Sequence, residues 1–346
     1  MKAVIKCAPG VGHVEYIETQ EPVPSPDQVK LEISTCGICG TDLHVYHDTF
    51  RNFPPVILGH EFVGRVIEEG SLVKGTTDLT KRYAVLGAVA VVCGKCRYCQ
   101  SEDFMFCPDR RGMGHGVNGA FARYACVRPD QLYALDEKLP EEFGALVEPM
   151  AVAVHTVCEI AQVYPGEVAL VSGPGPIGLL CALVLNHHGV RTMVAGVSRD
   201  AQRLQLIKDH GASRVIDVES EDLAEIIKLE TNRLGVDIAF EVSGVAASAR
   251  SCLQSIRPLG QYIQIGHFGR DIQMPFDLIG FKQLRASGSI GYTRKTWERS
   301  MRLLEDGFDP TVIVTHRMPL SQWQEAFRLF EEKKATKVLL YPETEA

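Results

Sequence analysis

The stretch Val168-Ala-Leu-Val-Ser-Gly173-Pro174-Gly175-Pro176-Ile177-Gly178 decides the fold. Its first five residues read as a buried strand, its glycines as a turn, and Ile177–His188 as an apolar helix. A glycine-rich turn alone is weak evidence. Here it follows a strand and opens a helix, the context in which G-x-G-x-x-G marks a dinucleotide site. Gly173 permits the tight turn, Gly175 lets a pyrophosphate approach the backbone, and Gly178 lets the helix pack close to the strand. The helix that starts at Pro176 and Ile177 supplies free N–H donors to the anion.

Outward from this turn, strands Thr192–Val197, Arg214–Asp217, Val236–Val242 and Gln261–Gly266 alternate with helices Ala201–His210, Asp222–Thr231 and Ala246–Ile256. Ala286–Ile290 reads as a closing strand. Such alternation predicts a parallel doubly wound sheet of the α/β class. The end of the second strand selects the cofactor. About 20 residues past the glycines, an NAD site usually presents an acid to the ribose hydroxyls. Ser198 stands there and brings no charge to repel a 2′-phosphate. Arg199 offers a cation, and Arg203, one helical turn on, a further donor. This favours NADP over NAD, with dual use open. In the alternative reading Arg199 faces solvent, and Asp200 replaces the acid or caps the next helix.

Before Glu148 the texture differs. Val29–Ser34, Val63–Glu68, Ala84–Val92 and Ala120–Val127 read as short strands broken by Gly and Pro, a β-rich domain with long loops. The tail reads as helices Arg294–Asp306 and Ser321–Glu332, then an apolar strand Lys337–Leu340. A length of 346 residues suits about two domains. With 45% apolar and 23% charged residues, the chain is neither disordered nor coiled coil. A net charge of −7 gives no positive field for nucleic acid or an anionic membrane, so neither partner is expected. The best apolar runs, Ala84–Cys93 and Ile177–Leu185, fall short of the roughly 18–20 residues of a span. MKAVIKCAPG at the start lacks a signal peptide's apolar stretch, so a cytoplasmic location is expected.

Four of the eleven cysteines, Cys93, Cys96, Cys99 and Cys107, crowd into C-x2-C-x2-C-x7-C. Thiols two residues apart turn toward one point when the loop is tight, and Gly94 helps such a turn. Four thiolates fill a tetrahedral zinc shell with no open position, which predicts a structural site. The alternatives are reduced surface cysteines or a redox pair. Cys126, Cys181 and Cys252 sit among apolar residues and read as core. Elsewhere Cys39, His60, Glu61 and Glu148 lie in CGICGTDLH, LGHEFVG and LVEPMAVAVHT. Singly each is bland. Together they offer thiolate, imidazole and carboxylate, a set that suits zinc and leaves room for a substrate oxygen.

In this order, CGICGTDLH, GHE, the cysteine lobe, the Glu148-Pro149 segment and GPGPIG resemble the zinc-dependent medium-chain dehydrogenases over nearly the whole chain. SGPGPIGL, GQYIQIG and Glu148 resemble the polyol branch, such as sorbitol and arabitol-phosphate dehydrogenases. Threonine dehydrogenases share CGICGTDLH and usually differ around Glu148. The resemblance implies a Rossmann domain, residues 151–291, inserted into a GroES-like β-barrel catalytic domain. Residues 1–150, with the structural zinc lobe, and the returning 292–346 would make up that barrel. It implies catalytic zinc ligands Cys39, His60 and Glu61, with Glu148 bound directly or through water, and a homodimer or homotetramer.

The implied reaction interconverts a secondary alcohol of a polyol or polyol phosphate with the ketose. Zinc lowers the pKa of the substrate hydroxyl, and hydride passes to the nicotinamide of NADP or NAD. Two carboxylates and a thiolate exceed the charge of a divalent ion, so Glu61 and Glu148 are not expected to bind tightly together. Thr41 matches the family's hydroxyl relay, and His44 would pass the proton on; a turn hydrogen bond and a polar contact are the plainer readings. Asp42 is expected to orient its neighbours. His155 either backs the site or packs in its helix. Sorbitol dehydrogenases typically carry an arginine three residues after the glycine of the last Rossmann strand. Here Ser289, Ile290 and Gly291 follow Gly288, then Tyr292, which speaks against sorbitol itself. Arg110–Arg111 and Arg294–Lys295 are candidates for a substrate phosphate or plain surface. A threonine-3-dehydrogenase-like or other secondary alcohol dehydrogenase is the alternative. A zinc-free quinone or enone reductase, or an NADP-sensing protein, fits the cysteines and Cys39/His60 less well.

Overall fold

Val168–Ser172 is the first strand of a six-stranded sheet, all of whose pairs are parallel. Across the sheet the order is Arg214–Asp217, Arg191–Gly196, Val168–Ser172, Val236–Glu241, Ile256–Gln264 and Arg285–Gly288. In chain order this is 3-2-1-4-5-6, the doubly wound arrangement, with its switch point between the first and fourth strands. Buried apolar residues fill the strands: Leu170, Met193, Ala195, Ile216 and Ala239 share a cluster with Cys252 and Leu253 of the helix Ala246–Ser255. Helices Pro176–His187, Ala201–Asp209 and Leu223–Glu230 complete the crossovers.

The structure is a computed structural model and describes residues 1–343; the last three of the 292–346 segment lie outside the described residues. Contacts divide the chain into two units. One is Met1–Glu148 together with the chain from Thr293 onward, and the other is Pro149–Tyr292. In the first unit a seven-stranded sheet runs Val314–Pro319, Lys337–Tyr341, Val29–Gly37, Glu61–Glu69, Arg82–Val85 and Leu132–Leu135, with Tyr124–Val127 also paired to Val29–Gly37. A smaller sheet joins Val14–Glu18, Lys2–Lys6 and Val56–Ile57. The last strand therefore completes a sheet begun near the start of the chain: Leu339 and Leu340 pair with Gly37 and Cys36.

Several sequence expectations shift. Ala84–Val92 is a strand only to Val85, then takes a 3-10 turn, Gly87–Val89. A Cβ on Gly87 would sit 2.9 Å from the His60 carbonyl, so the chain turns where it meets the backbone of the LGHEFVG segment. Ala120–Val127 pairs in the sheet only from Tyr124, because the amides of Ala120 and Phe121 donate instead to Gly59 and Leu58. Val314–Pro319 is a strand that the sequence reading passed over. The expectation that no apolar stretch is long enough for a span also needs correction: helix Glu142–His155 continues into a π turn, and Glu142–Ile160 is 19 residues of suitable hydropathy. Yet 72% of its most apolar 18-residue window is buried within the protein, as suits a core helix.

Candidate active site

Cys39 precedes the helix Gly40–Tyr46 in extended conformation and serves as its N-cap. The Cys39 amide donates to Asp42 Oδ2 at 2.9 Å, and the Gly59 amide donates to Asp42 Oδ1 at 3.3 Å. One buried carboxylate thus ties CGICGTDLH to LGHEFVG, in the orienting role expected of it. Gly59 makes the turn before His60 with φ +87°, and a Cβ there would overlap Phe121. Glu61 then opens the strand Glu61–Glu69 opposite Gly37. The outcome is that one donor atom each from Cys39, His60 and Glu61 lies within 4.8 Å of the others, with His60 and Glu61 buried. Glu148 is buried too, but falls outside this tight group.

The electrostatics fit a divalent cation. Burial alone would lower the His60 pKa, but the negative charges of Cys39, Asp42 and Glu148 outweigh it and hold the imidazole well above its ordinary range. Burial pushes the Asp42 carboxyl up. His60 Nδ1 is buried without a hydrogen-bond partner among the described residues, 3.7 Å from Asp42 Oδ1. A thiol, an imidazole and a carboxylate converging under excess negative charge are the donor set of an open zinc site. Sequence reading missed one participant, Lys337. Its ammonium is 1% exposed, pairs with Glu61 Oε2 and donates to the Ile38 carbonyl at 2.8 Å.

Thr41 Oγ1 lies 3.7 Å from Cys39 Sγ, in the same turn. His44 is exposed in the last turn of that helix, with Nδ1 3.1 Å from Thr49 Oγ1. His155 ends the helix Glu142–His155 in the other unit. The four-cysteine lobe closes as expected: Cys93, Cys96, Cys99 and Cys107 bring their sulfurs within 4.8 Å of one another. All four thiols are free. The amides of Lys95 and Cys96 pull the Cys93 thiol down, while burial and the neighbouring thiols push Cys99 up.

At the dinucleotide turn, Gly173 adopts φ +112° and its amide donates to the Ala195 carbonyl at 2.9 Å. A Cβ on Gly178 would overlap the Gly173 carbonyl, whereas a Cβ on Gly175 would meet nothing within 4 Å, which leaves its backbone open to a ligand. Gly175 caps the helix, with Pro176 and Ile177 in its first turn. Ser198 and Arg199 are exposed just past the second strand. Arg203, the further donor the sequence offers, lies largely covered. It is 8% exposed and 3.4 Å from Asp200, itself buried and bonded to the Val197 amide. The pair holds the strand-to-helix turn, with Asp200 placed as a cap for the helix that follows. Two acids that sequence counting could not find flank Ser198 instead: its hydroxyl donates to Asp217 Oδ2 at 2.7 Å and its amide to Glu219 Oε2 at 3.0 Å. They come from the neighbouring parallel strand and its loop.

Three of the four basic residues considered for a substrate phosphate make contacts within the protein. Arg110 donates to the Ala88 carbonyl at 2.8 Å, and Arg111 lies 4.3 Å over the Phe53 ring. Arg294 donates to the Asp130 carbonyl and the Tyr133 hydroxyl. Ser289 is buried and bonded to Thr156 at 2.8 Å.

Comparison with known proteins gives two family matches: "Zinc-binding dehydrogenase" over residues 176–306 and "Alcohol dehydrogenase GroES-like domain" over residues 25–137. The sorbitol dehydrogenase of Halalkalibacterium halodurans is 35% identical over 99% of both chains. The D-arabitol-phosphate dehydrogenase of Enterococcus avium is 32% identical over 98% of this chain and 97% of that protein. The L-threonine 3-dehydrogenase of Stenotrophomonas maltophilia is 34% identical over 98% and 99%. Among solved structures, a Sinorhizobium meliloti protein described as a zinc-binding dehydrogenase and bound to NADP has a TM-score of 0.88 at 27% identity, over 99% of both chains. An alcohol dehydrogenase from Escherichia coli complexed with NADH also has a TM-score of 0.88, at 25% identity over 99% of both chains.

Proposed function

The chain belongs to the zinc-dependent medium-chain alcohol and polyol dehydrogenases, NAD(P)-linked enzymes acting on CH–OH groups, and from that premise we propose that it oxidises a secondary alcohol of a polyol to the ketose. The convergence of Cys39, His60 and Glu61 carries this reading. Bound there, zinc supplies the Lewis acidity that makes a substrate hydroxyl acidic near neutral pH. Cys39, His60 and Glu61 would hold the ion, and Glu148 would add charge beside them. Asp42 fixes the segments that carry Cys39 and His60. Thr41 relays the substrate's proton, giving up its own hydroxyl proton as it accepts that one, and His44, at the exposed end of the same helix, passes the proton on to solvent. The backbone of Gly173, Gly175 and Gly178 and the start of the Pro176–His187 helix seat the pyrophosphate, and Ser198 and Arg199 meet the adenosine ribose.

An unphosphorylated polyol is favoured over a polyol phosphate because Arg110, Arg111 and Arg294 are already engaged. A homodimer or homotetramer is supported by the edge strand Arg285–Gly288, exposed at all four residues, near Phe281 at 85% exposure. A cytoplasmic location is supported by eleven cysteines, all free. The test is a panel of polyols, polyol phosphates and L-threonine, each with NAD and NADP. Turnover of polyols above the other classes is expected. Exclusive turnover of L-threonine would replace the polyol reading by the amino-alcohol one, which the similar identity of the threonine dehydrogenases keeps in view.

A further inference from the structure

Resting on the zinc reading above, we propose that Lys337 is a positioning residue that holds one oxygen of Glu61, so that Glu61 offers the metal a single oxygen and the excess negative charge of the site is reduced. Three strands build this arrangement. Glu61 lies opposite Gly37, and Leu339, two residues after Lys337, lies opposite the same glycine from the other side. A Cβ on Gly37 would overlap Glu61 Oε2 and stand 3.0 Å from Lys337 Cε. The ion pair therefore occupies space that only a glycine leaves. Both side chains are 1% exposed, and the ammonium is anchored by the Ile38 carbonyl, one residue before Cys39. The ammonium thus bonds a main-chain atom next to one candidate ligand and the carboxylate of another.

The charge count gives the pair its purpose. The Cys39 thiolate and the Glu61, Glu148 and Asp42 carboxylates together overshoot a divalent ion by two negative charges. Lys337 offsets one of them. A buried ion pair is poor evidence of stabilisation by itself, since apolar replacements often serve as well. Removing only the lysine is a different change: it leaves a desolvated carboxylate with one cation to turn to, the metal. Glu61 would then grip the ion with its full charge. The expected signature is tighter metal retention, opposite to that of ordinary damage to a site.

The experiment follows zinc release from the purified holoenzyme into excess dipicolinate, where the open site and the closed four-cysteine lobe give separate phases. Lys337→Met is expected to slow the labile phase about 10–100-fold, the usual weight of a residue contacting a metal ligand. Lys337→Arg should release like the wild type. In the Glu61→Gln background, adding Lys337→Met should change nothing. Should the methionine variant fail to fold, Lys337→Gln, neutral and able to hydrogen bond, reads the same rate. Release as fast as in the wild type, or faster, from a folded variant overturns the proposal. A wild-type protein holding only the lobe's zinc would contradict the zinc reading itself.

Discussion

Cys39 has two duties. Its backbone caps the helix Gly40–Tyr46, and its thiol faces His60 and Glu61. Serine keeps the cap and loses the thiolate. We therefore expect Cys39→Ser to cut turnover by more than about 100-fold, the upper range for partners one shell further out. Melting temperature and NADH binding should stay close to wild type; near-normal turnover would remove Cys39 from the ligand set. At the adenosine end, Ser198→Asp with Arg199→Leu should move preference from NADP toward NAD by about 1–3 kcal/mol, read as the ratio of the two dissociation constants. An unchanged ratio would dissociate these residues from the choice. Cys39, His60 and Glu61 were legible because each sits in a short motif with its own chemistry. Lys337, Asp217 and Glu219 were not. A lysine heading an apolar strand reads as its surface flank, and only the pairing of that strand with Gly37 shows otherwise. Asp217 and Glu219 reach Ser198 across a parallel sheet, from about twenty residues further along the chain.

Elements carry the next tests. The doubly wound sheet could be read strand by strand from its apolar runs, and the glycine turn gave its switch point. Gly178 shows how tightly that turn is built, since even a methyl would collide with the Gly173 carbonyl. Gly178→Ala should cost about 1–3 kcal/mol in denaturant unfolding and weaken dinucleotide binding together with it. Retained affinity at wild-type stability would mean that the helix can shift freely. The cysteine lobe has little regular structure of its own, one four-residue helical turn and a 3-10 turn. A bound metal would then contribute to its order. Cys96→Ser should lower the zinc content by one equivalent and promote aggregation, while any soluble fraction keeps its specific activity. The strand ends at Val85 and Tyr124 were misread because close backbone approach at Gly59 and Gly87 redirects the chain, a tertiary effect that local propensity does not encode.

For the whole molecule, the returning C-terminal segment is held to the N-terminal part of its unit by a polar clasp. Arg317 donates from both Nε and Nη2 to Glu142 at 2.6 Å, and the Tyr341 hydroxyl donates to the same carboxylate. Arg317 holds the Glu142 carboxyl below its usual range. A carboxyl lowered on folding adds stability above its unfolded pKa, and that stability is lost as pH falls through the folded value. Arg317 is half exposed, so the gain is at most about 1 kcal/mol. Urea unfolding should show Arg317→Ala less stable than wild type at pH 7, with the gap closing as the solution is acidified below the carboxylate range. A gap independent of pH would mean that the clasp acts through packing alone. The central claim is tested most directly by stripping the labile zinc with dipicolinate and measuring polyol-dependent NAD(P) reduction beside NADH fluorescence titration. Turnover should vanish while the dinucleotide still binds, and return with added zinc; turnover that survives loss of that ion would contradict the account.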